Sequence, residues 1–353
     1  MKILLLGIGA IGGIIASKLL QAGYNCTLIT ANEHITTNIQ KNGLIVNDDS
    51  EKNQSVVEPL KVFTFVSQIN EQFDYIFYMM KATRLEKAIQ ETKHLLSPRG
   101  FAVSFQNGIV FNTFLKYFND RVITASVIFN SVMSNPGIYT VSKYEKIIIG
   151  KINNKGFDLG LSDLREILSY VTTCEISDNI LGLCWSKLAI NCSINALTAV
   201  SGSNLGVILS NNFAKDMFLA IYRETVDVAT KLGIKLENIR IDPYLLYQNE
   251  ETSFYKKTIQ SVLLRQIRKK YANIYPSMLQ DIKRGRKTEI NFLNGYISYL
   301  GKKFGILTPI NSEMTSLIKK IELNFLKPNI SLLKIASEST NIENQINSLP
   351  ISF

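Results

Sequence analysis

The sequence is poor in the residues that usually build metal centres and disulfide frameworks. Its 353 residues include two histidines, one tryptophan and four cysteines, namely Cys26, Cys174, Cys184 and Cys192. The cysteines form no CxxC pair and are too few for a disulfide-rich scaffold, so we interpret them as small buried side chains in a reducing compartment. The sequence therefore predicts no metal site and favours a cytoplasmic protein.

A nucleic-acid-binding signature and a membrane-spanning segment are also lacking. The formal net charge is +10, but the lysines are dispersed and no zinc-finger or RNA-recognition signature accompanies them. A local basic cluster at residues 265–270 and 283–287 favours a solvated face, with phosphate binding as the alternative. The apolar N-terminus, MKILLLGIGAIGGIIASKLL, is too short and too broken by glycine to cross a bilayer. We therefore expect no nucleic acid and no membrane as partners, and 46% hydrophobic residues argue against disorder.

A glycine-rich motif stands near the start of the chain. Gly7, Gly9 and Gly12 form G-x-G-x-x-G after the apolar strand Lys2–Leu6, and a helix-like segment and a second strand, Cys26–Thr30, follow. The first glycine permits a tight turn, the second lets the backbone approach a pyrophosphate, and the third lets the helix pack closely on the strand. The predicted cofactor loop consists of Gly7, Ile8, Gly9, Ala10, Ile11 and Gly12.

Two polar residues follow later strands of the same predicted sheet. Lys81 and Asn107 stand just past strand ends, where open α/β sheets bind ligands. Taken singly, each is equally well explained as a surface lysine or an ordinary Asn-Gly turn. The predicted elements are the strands Tyr75–Met79, Ala102–Phe105 and Val122–Phe129 and the helix Arg84–Leu96.

The second half of the chain has the apolar periodicity of helices. One of these segments carries a polar stripe, because Lys187, Asn191 and Asn195 recur every four residues and so share one helix face. A buried ammonium without a partner is costly and two amides are unusual neighbours for a simple surface charge, so the stripe needs an explanation. A lysine that merely reaches solvent from the helix is the alternative to a functional role. The predicted helices are Leu161–Val171, Asn179–Val200, Phe213–Leu232, Val262–Tyr271 and Glu289–Phe304.

These patterns predict an α/β N-terminal domain with a Rossmann-type doubly wound sheet, followed by an all-α C-terminal domain. The predicted bounds are 1–165 for the dinucleotide-binding domain, 166–327 for the helical substrate and catalytic domain, and 328–353 for a C-terminal extension. Within the helical domain, Ser277 follows a proline and Glu289 opens an apolar segment. Local sequence alone favours a helix cap for the first and a helix-dipole charge for the second.

Several motifs together resemble the ketopantoate reductase (2-dehydropantoate 2-reductase) family. They are the initial GxGxxG, the Met80-Lys81-Ala82 strand end, Gln106-Asn107-Gly108, Trp185-Ser186-Lys187-Leu188 with Asn191 and Asn195, and PSMLQD followed by TEINFLNG. The motifs keep the family's order over roughly residues 1–325. The resemblance implies a Rossmann domain and a helical domain with the active site in the cleft between them, and NADPH as the reductant.

The resemblance also implies a role for each matching residue. Lys187 would be the general acid and Glu289 its acidic partner, and Lys81, Asn107 and Glu289 would line the cofactor site. A preoriented ammonium can donate a proton to a ketone oxygen as hydride arrives from the nicotinamide. The residues expected to hold the substrate are Asn107, Asn191, Asn195 and Ser277.

By the same resemblance, the expected reaction is reduction of 2-dehydropantoate to pantoate, a step toward coenzyme A. A relative that reduces another branched 2-oxo acid is the alternative enzyme. A dinucleotide-sensing protein without turnover is the alternative from another class, and the presence of Lys187 and Glu289 argues against it. The chain is expected to be a monomer or a homodimer.

The sequence departs from the family pattern in three places. Ala31 stands where the family commonly has an arginine for the NADPH 2′-phosphate, although the second strand ends without the acidic residue expected for NAD. Lys41 is a candidate to supply the missing charge. The segment before Pro276 and the tail after Pro328 are longer than usual, and either could alter substrate fit or oligomerisation.

The first prediction follows from the missing arginine. The substitution Ala31→Arg should tighten NADPH binding more than NADH binding, because a guanidinium pairs well with a phosphate. Titration of the purified variant with each cofactor measures the two changes. Equal changes for NADPH and NADH would show that the 2′-phosphate does not lie beside residue 31.

Overall fold

The computed structural model describes residues 1–59, 61–152, 158–249, 252–272 and 275–338. The chain forms two compact units, a sheet unit (Met1–Ile180) and a helical unit (Leu181–Phe353). Of the predicted C-terminal extension, 331–338 is helical and 339–353 lies outside the described residues. The sequence placed the domain boundary after residue 165, whereas the compact units divide after Ile180.

The sheet unit contains a large, mainly parallel sheet and a smaller second sheet. The large sheet has the strand order β12-β11-β8-β7-β6-β1-β2-β5, and the small one β4-β3-β10-β9. The strands are β1 (Lys2–Leu6), β2 (Asn25–Ile29), β3 (Leu44–Asp48), β4 (Asn53–Val57), β5 (Val62–Phe63), β6 (Phe73–Tyr78), β7 (Leu96–Ser104), β8 (Val122–Val127), β9 (Asn130–Asn135), β10 (Ile138–Lys143), β11 (Ile147–Gly150) and β12 (Cys174–Ile176).

Strand β1 lies at the point where the order of the large sheet reverses. It pairs in parallel with β2 on one side and with β6 on the other, and β6 pairs in parallel with β7. The carboxyl ends of β1, β6 and β7 therefore lie side by side. Such a reversal opens a crevice outside the strand ends, so this edge is the expected ligand site of the unit.

The helices of the sheet unit pack on the large sheet. They are α1 (Ala10–Gln21), α2 (Glu33–Asn42), α3 (Leu85–Thr92), α4 (Phe111–Phe118) and α5 (Leu159–Ser169). Ile14, Ile15 and Leu19 of α1 share one buried core with Leu164 and Ile167 of α5. The predicted helix Leu161–Val171 thus belongs to the sheet unit, because its apolar face completes this core.

The helical unit is built from helices and their connections throughout its described part. Helices α7, α10 and α12 were not predicted, α9 begins eight residues before the predicted start, and α11 begins at Asn294, after the 3-10 turn Ile290–Phe292. The helices are α6 (Ile180–Ser201), α7 (Leu205–Ser210), α8 (Asn212–Lys231), α9 (Phe254–Tyr271), α10 (Ser277–Lys283), α11 (Asn294–Phe304) and α12 (Pro309–Glu322). The predicted fold class, an α/β sheet domain followed by a helical domain, is confirmed.

Helix α6 is the most apolar long helix of this unit. Its most apolar window has a mean hydropathy of 1.3, which by length and composition would suffice to cross a membrane, but 67% of that window is buried inside the protein. Trp185, Leu188, Ala189 and Cys192 are among its fully buried residues. The burial is that of a core helix, and it surrounds the stripe that Lys187 begins.

Candidate functional site

The loop after β1 passes through a space that only glycine can occupy. Gly7 has a φ of +90°, and a Cβ added there would lie 2.6 Å from the Met80 nitrogen. Its own N–H donates to the Ile29 carbonyl oxygen at 2.9 Å, which ties the loop to the end of β2. The close approach of three strand ends therefore explains the first glycine of the motif.

The other two glycines of the motif have different tasks. A Cβ on Gly12 would collide with the Gly7 carbonyl oxygen, so Gly12 allows α1 to pack on the loop, whereas a Cβ on Gly9 would meet nothing within 4 Å. Gly9 is the N-cap of α1, and the first turn of the helix carries no acidic residue. Amide N–H groups at a helix start are donors without intrahelical partners, so the open space at Gly9 fits a pyrophosphate.

Tyr139, which sequence reasoning missed, supports the loop from the small sheet. Its hydroxyl donates to the Ile8 carbonyl oxygen at 3.1 Å, and its ring fills the space that a Cβ on Gly13 would need. The side chain is fully buried. Since β10 lies far along the chain from the loop, only the glycine at position 13 hinted at such a contact.

Lys81 and Asn107 lie at the neighbouring strand ends, as the strand order requires. Both are half-buried, and Gln106 holds the two ends together. The Gln106 Nε2 donates to the carbonyl oxygens of Tyr78 at 2.8 Å and Met80 at 3.0 Å, while its Oε1 accepts from the Ser104 hydroxyl. The structure thus brings Lys81, Asn107 and the glycine loop to one edge of the sheet.

The turn after β2 is the expected contact for the adenosine ribose. Ala31 is exposed with a φ of +53°, and the Thr30 hydroxyl donates to the Asn32 carbonyl oxygen at 2.8 Å. Lys41 lies in the last turn of α2, whereas the expected ribose turn, residues 30–32, comes just before the first turn of α2. The two are about 12 Å apart along the helix axis. Lys41 therefore does not lie beside residue 31, and its role toward a 2′-phosphate stays a prediction.

In the helical unit, Lys187, Asn191 and Asn195 all lie within α6 and therefore on one face. Lys187 and Asn191 are half-buried, and Asn195 is 7% exposed. Burial is the main cause that lowers the pKa of Lys187 to about 8, the positive charge of Arg240 contributes in the same direction, and Cys184 opposes the shift. An ammonium with a pKa near neutrality is suited to donate a proton at physiological pH.

Glu289 lies on a short segment that is tied to α12 on one side and closed by a local hydrogen bond on the other. The N–H of Thr288 donates to the Glu322 carboxylate at 2.6 Å, and the N–H of Ile290 donates to the Thr288 hydroxyl at 3.2 Å. Glu289 itself is half-buried and precedes a 3-10 turn rather than opening α11. A charge at the start of a long helix is therefore not the explanation for this residue.

Ser277 is the first residue of α10 and is exposed. Pro276, not Ser277, occupies the N-cap position, so the serine is not a helix cap. Ser277 and Glu289 come from segments of the helical unit separate from α6. Their expected contacts with substrate, and those of Asn107, Asn191 and Asn195, stay predictions.

Known proteins similar to this chain cover both of its halves. Residues 3–154 match the family described as ketopantoate reductase PanE/ApbA, and residues 179–322 match its C-terminal domain. A 2-dehydropantoate 2-reductase of Aquifex aeolicus is 27% identical to this chain over 93% of the chain and 99% of the relative. Both halves of the chain are therefore similar to one family.

Solved structures share the fold. D-mandelate dehydrogenase, in its structure with NADH and anilino(oxo)acetate, superposes with a TM-score of 0.79 at 24% identity, covering 92% of this chain and 99% of that one. A PanE/ApbA family ketopantoate reductase from Ralstonia eutropha JMP134 gives 0.78 at 24% identity with the same coverage. At this level of identity, the likeness shows the architecture of the chain.

The second prediction separates the two tasks of the glycine loop. Gly9→Ala should leave the melting temperature near that of the wild type but weaken dinucleotide binding, because its methyl group would enter the open space. Gly12→Ala should lower the stability by about 1–3 kcal/mol, because its methyl group would collide with the backbone of Gly7. Thermal melts and fluorescence titrations of both variants measure these effects; unchanged cofactor affinity in Gly9→Ala would remove the loop from the binding site.

Proposed function

The chain belongs to the ketopantoate reductase PanE/ApbA family, and we propose that it reduces 2-dehydropantoate to pantoate with NADPH, a step toward coenzyme A. It is an oxidoreductase of this family with a dinucleotide-binding fold. The proposal assigns proton donation to Lys187, with Glu289 as its acidic partner. It also places the reaction in the cytoplasm, in keeping with the four free cysteines.

One observation carries this proposal, the lowered pKa of Lys187 within a helix that is otherwise a core element. A lysine kept only for packing would hold its ammonium in water and would keep an ordinary pKa. Here the same helix face also presents two amides, which bind hydroxyl or carboxylate groups without adding charge. The face thus combines one proton donor with neutral groups that orient a substrate.

The mechanism needs little else from the protein. The amides of Gly9 to Gly12 at the start of α1 would hold the pyrophosphate of the dinucleotide, whose reduced nicotinamide would supply the hydride. Lys187 donates its proton to the ketone oxygen, where negative charge develops. Glu289 keeps the ammonium oriented and binds a substrate hydroxyl, and Ser277 and Asn107 add contacts to the substrate.

The charge around Lys187 supports an anionic substrate. Arg240 contributes to the lowering of the lysine pKa, so the positive potentials of the two cations add around Lys187. A carboxylate bound in that region is stabilised by both charges and in turn favours the protonated lysine. A 2-oxo acid has this carboxylate next to the ketone that is reduced.

NADPH is proposed because the ribose turn holds no carboxylate. Thr30, Ala31 and Asn32 are uncharged, and a carboxylate at this strand end is what an NAD site would use for the ribose hydroxyls. An exposed alanine leaves room for a 2′-phosphate. The nearest carboxylate is Glu33, which we interpret as the solvated first residue of α2. The turn itself, residues 30–32, thus excludes the phosphate neither by charge nor by bulk.

A second candidate substrate is another branched 2-oxo acid. The solved structure of D-mandelate dehydrogenase, which has the same fold, contains NADH and anilino(oxo)acetate. Oxidation of NADPH and NADH, each tested with ketopantoate and with a panel of 2-oxo acids, distinguishes the two substrates. The highest kcat/KM with ketopantoate is expected, and a higher value with another acid would replace the proposed substrate.

The third prediction is that Lys187→Met loses turnover while it keeps cofactor binding. The substitution retains the aliphatic stem and removes the proton donor, so kcat should fall by about a hundredfold to ten-thousandfold. The glycine loop lies in the sheet unit, so NADPH affinity measured by fluorescence should stay within about twofold of wild type. The exposed Lys231→Met at the end of α8 is the matched control.

The pH dependence provides an independent check of the same assignment. Because the acid must be protonated, kcat/KM of the wild type should fall as the pH rises through about 8, the pKa of Lys187 in the enzyme without substrate. The fall in kcat should lie at higher pH, because the bound carboxylate stabilises the ammonium. A near-normal kcat in a folded Lys187→Met variant would contradict the assignment of Lys187 as the general acid. A fall of kcat/KM near pH 8 that is still present in this variant would contradict it as well.

The fourth prediction concerns Glu289→Gln, which keeps the shape of the side chain and removes its charge. Turnover should fall by about a hundredfold, the lower end of what acid–base groups contribute, while the melting temperature barely changes. Asp216→Asn, an exposed substitution on α8, is the control for loss of a carboxylate. Full activity of Glu289→Gln across the pH range would exclude Glu289 from the mechanism.

A further inference from the structure

A network of buried polar side chains, Glu224, Asn311 and Asn294, crosses the helical unit outside the proposed catalytic residues. Glu224 on α8 is 3% exposed, and Asn311 on α12 and Asn294 at the start of α11 are both 0% exposed. None of them belongs to the stripe on α6. Burying three such side chains costs free energy unless their polar groups are paired, so their contacts show what they hold.

At one end of this network, the Glu224 carboxylate binds the start of α12. One oxygen accepts the N–H of Ile310 at 2.9 Å, and the other accepts both the N–H of Asn311 at 2.9 Å and its side-chain Nδ2 at 2.7 Å. The preceding Pro309 has no N–H to offer. Burial raises the pKa of Glu224 to about 7, although the N–H donors from Ile310 and Asn311 favour the ionised form.

The two asparagines carry this interaction to α6. The Asn311 Oδ1 accepts from the Asn294 Nδ2 at 3.0 Å, and the same Nδ2 also donates to the Cys192 carbonyl oxygen at 3.1 Å. Because one Glu224 oxygen accepts from Asn311, the amide nitrogen of Asn311 faces the carboxylate and its amide oxygen faces Asn294. Asn294 must then direct both of its N–H bonds outward, one to Asn311 and one to α6.

The other end of the network contacts helix α6 at Cys192, close to the proposed functional residues of that helix. Cys192 directly follows Asn191 and stands five residues after Lys187, while Asn294 stands five residues after Glu289. The hydrogen bond between Asn294 and Cys192 therefore joins the helix that carries the lysine to the segment that carries the glutamate.

One polar atom of the network has no hydrogen-bond partner, which argues against a purely stabilising role. The Asn294 Oδ1 is buried and has no hydrogen-bond partner among the described residues. A buried acceptor without a partner costs about 1–3 kcal/mol, and well-packed apolar side chains often stabilise a core at least as well as a polar network. The asparagine is therefore kept at a cost, and what it supplies is the pair of directed N–H bonds.

We propose that Glu224, Asn311 and Asn294 are positioning residues that hold the polar face of α6 in register with the segment of Glu289. The inference rests on the proposed function, since it assigns the network to the geometry of Lys187 and Glu289. Displacement of a reacting group by about 1 Å can cost a hundredfold in rate, so a network that fixes this register affects kcat. None of the three residues is among those assigned here to substrate or cofactor.

The fifth prediction tests the network with Asn294→Ala, Glu224→Gln and the double variant. Asn294→Ala should lower kcat by about tenfold or more, and Glu224→Gln should lower it less, because its amide oxygen can still accept from Asn311. NADPH affinity should stay within about twofold in all three. Since Glu224 acts through Asn294, the double variant should have the kcat of Asn294→Ala alone.

Ser193→Ala is the matched control, because Ser193 is a buried polar residue of α6 whose hydroxyl donates only to Ala189 of the same helix among the described contacts. It should change the melting temperature without changing kcat. The network would be a stabilising feature only, and the proposal overturned, if the variants lowered the melting temperature at unchanged kcat. The proposal would also be overturned if the fold loss of kcat in the double variant equalled the product of the fold losses in the two single variants.

A second measurement separates this proposal from the proposed function. Competitive acetylation with acetic anhydride across a pH range, quantified by mass spectrometry, gives the pKa of Lys187 without any substrate. In Asn294→Ala the pKa should rise from about 8 toward the ordinary lysine value, because a displaced α6 hydrates the ammonium. An unchanged pKa overturns the network, whereas a wild type that reduces no 2-oxo acid with NADPH or NADH overturns the proposed function alone.

Discussion

The cost of removing an ammonium from water is the constraint on which the helical unit depends. Lys187 stands on a helix that would pass as a core element by its apolar composition, and its burial lowers the lysine pKa to about 8. A lysine in that state holds its proton loosely, which is a disadvantage for stability and an advantage for proton transfer. Asn191 and Asn195 on the same face add polarity without restoring the lost hydration.

The sheet unit solves a different problem, that of bringing backbone close to backbone. Gly7 and Gly12 are needed because β1, β6 and α1 meet within van der Waals distance, and Gly9 is needed because nothing of the protein fills the space beside it. Tyr139 and Gln106 then hold the surrounding carbonyl groups in place. The unit therefore offers a pyrophosphate a rigid set of amides rather than a set of charges.

Local patterns were sufficient for the elements that are regular in themselves. Strand β1 and helix α6 agree with their predicted bounds to within about one residue, since the first is a continuous apolar run and the second keeps the apolar periodicity of a helix along its length. The small sheet was missed because β4 and β9 are largely exposed and carry few apolar residues. Helix α12 was also missed, although Pro309 at its first position is a local start signal; what no local pattern could show is that Glu224 accepts the N–H groups of its first turn.

The sequence by itself determined the glycine loop, the polar stripe on α6 and the order of sheet before helices, because each follows from spacing along the chain. Only the tertiary structure decided that α5 completes the core of the sheet, that Glu289 follows a residue bonded to Glu322, and that Asn294 bonds to the carbonyl of Cys192. The physical reason is that desolvation and hydrogen bonding depend on which atoms meet in space. Periodicity can place Lys187 on a helix face, but only packing can lower its pKa.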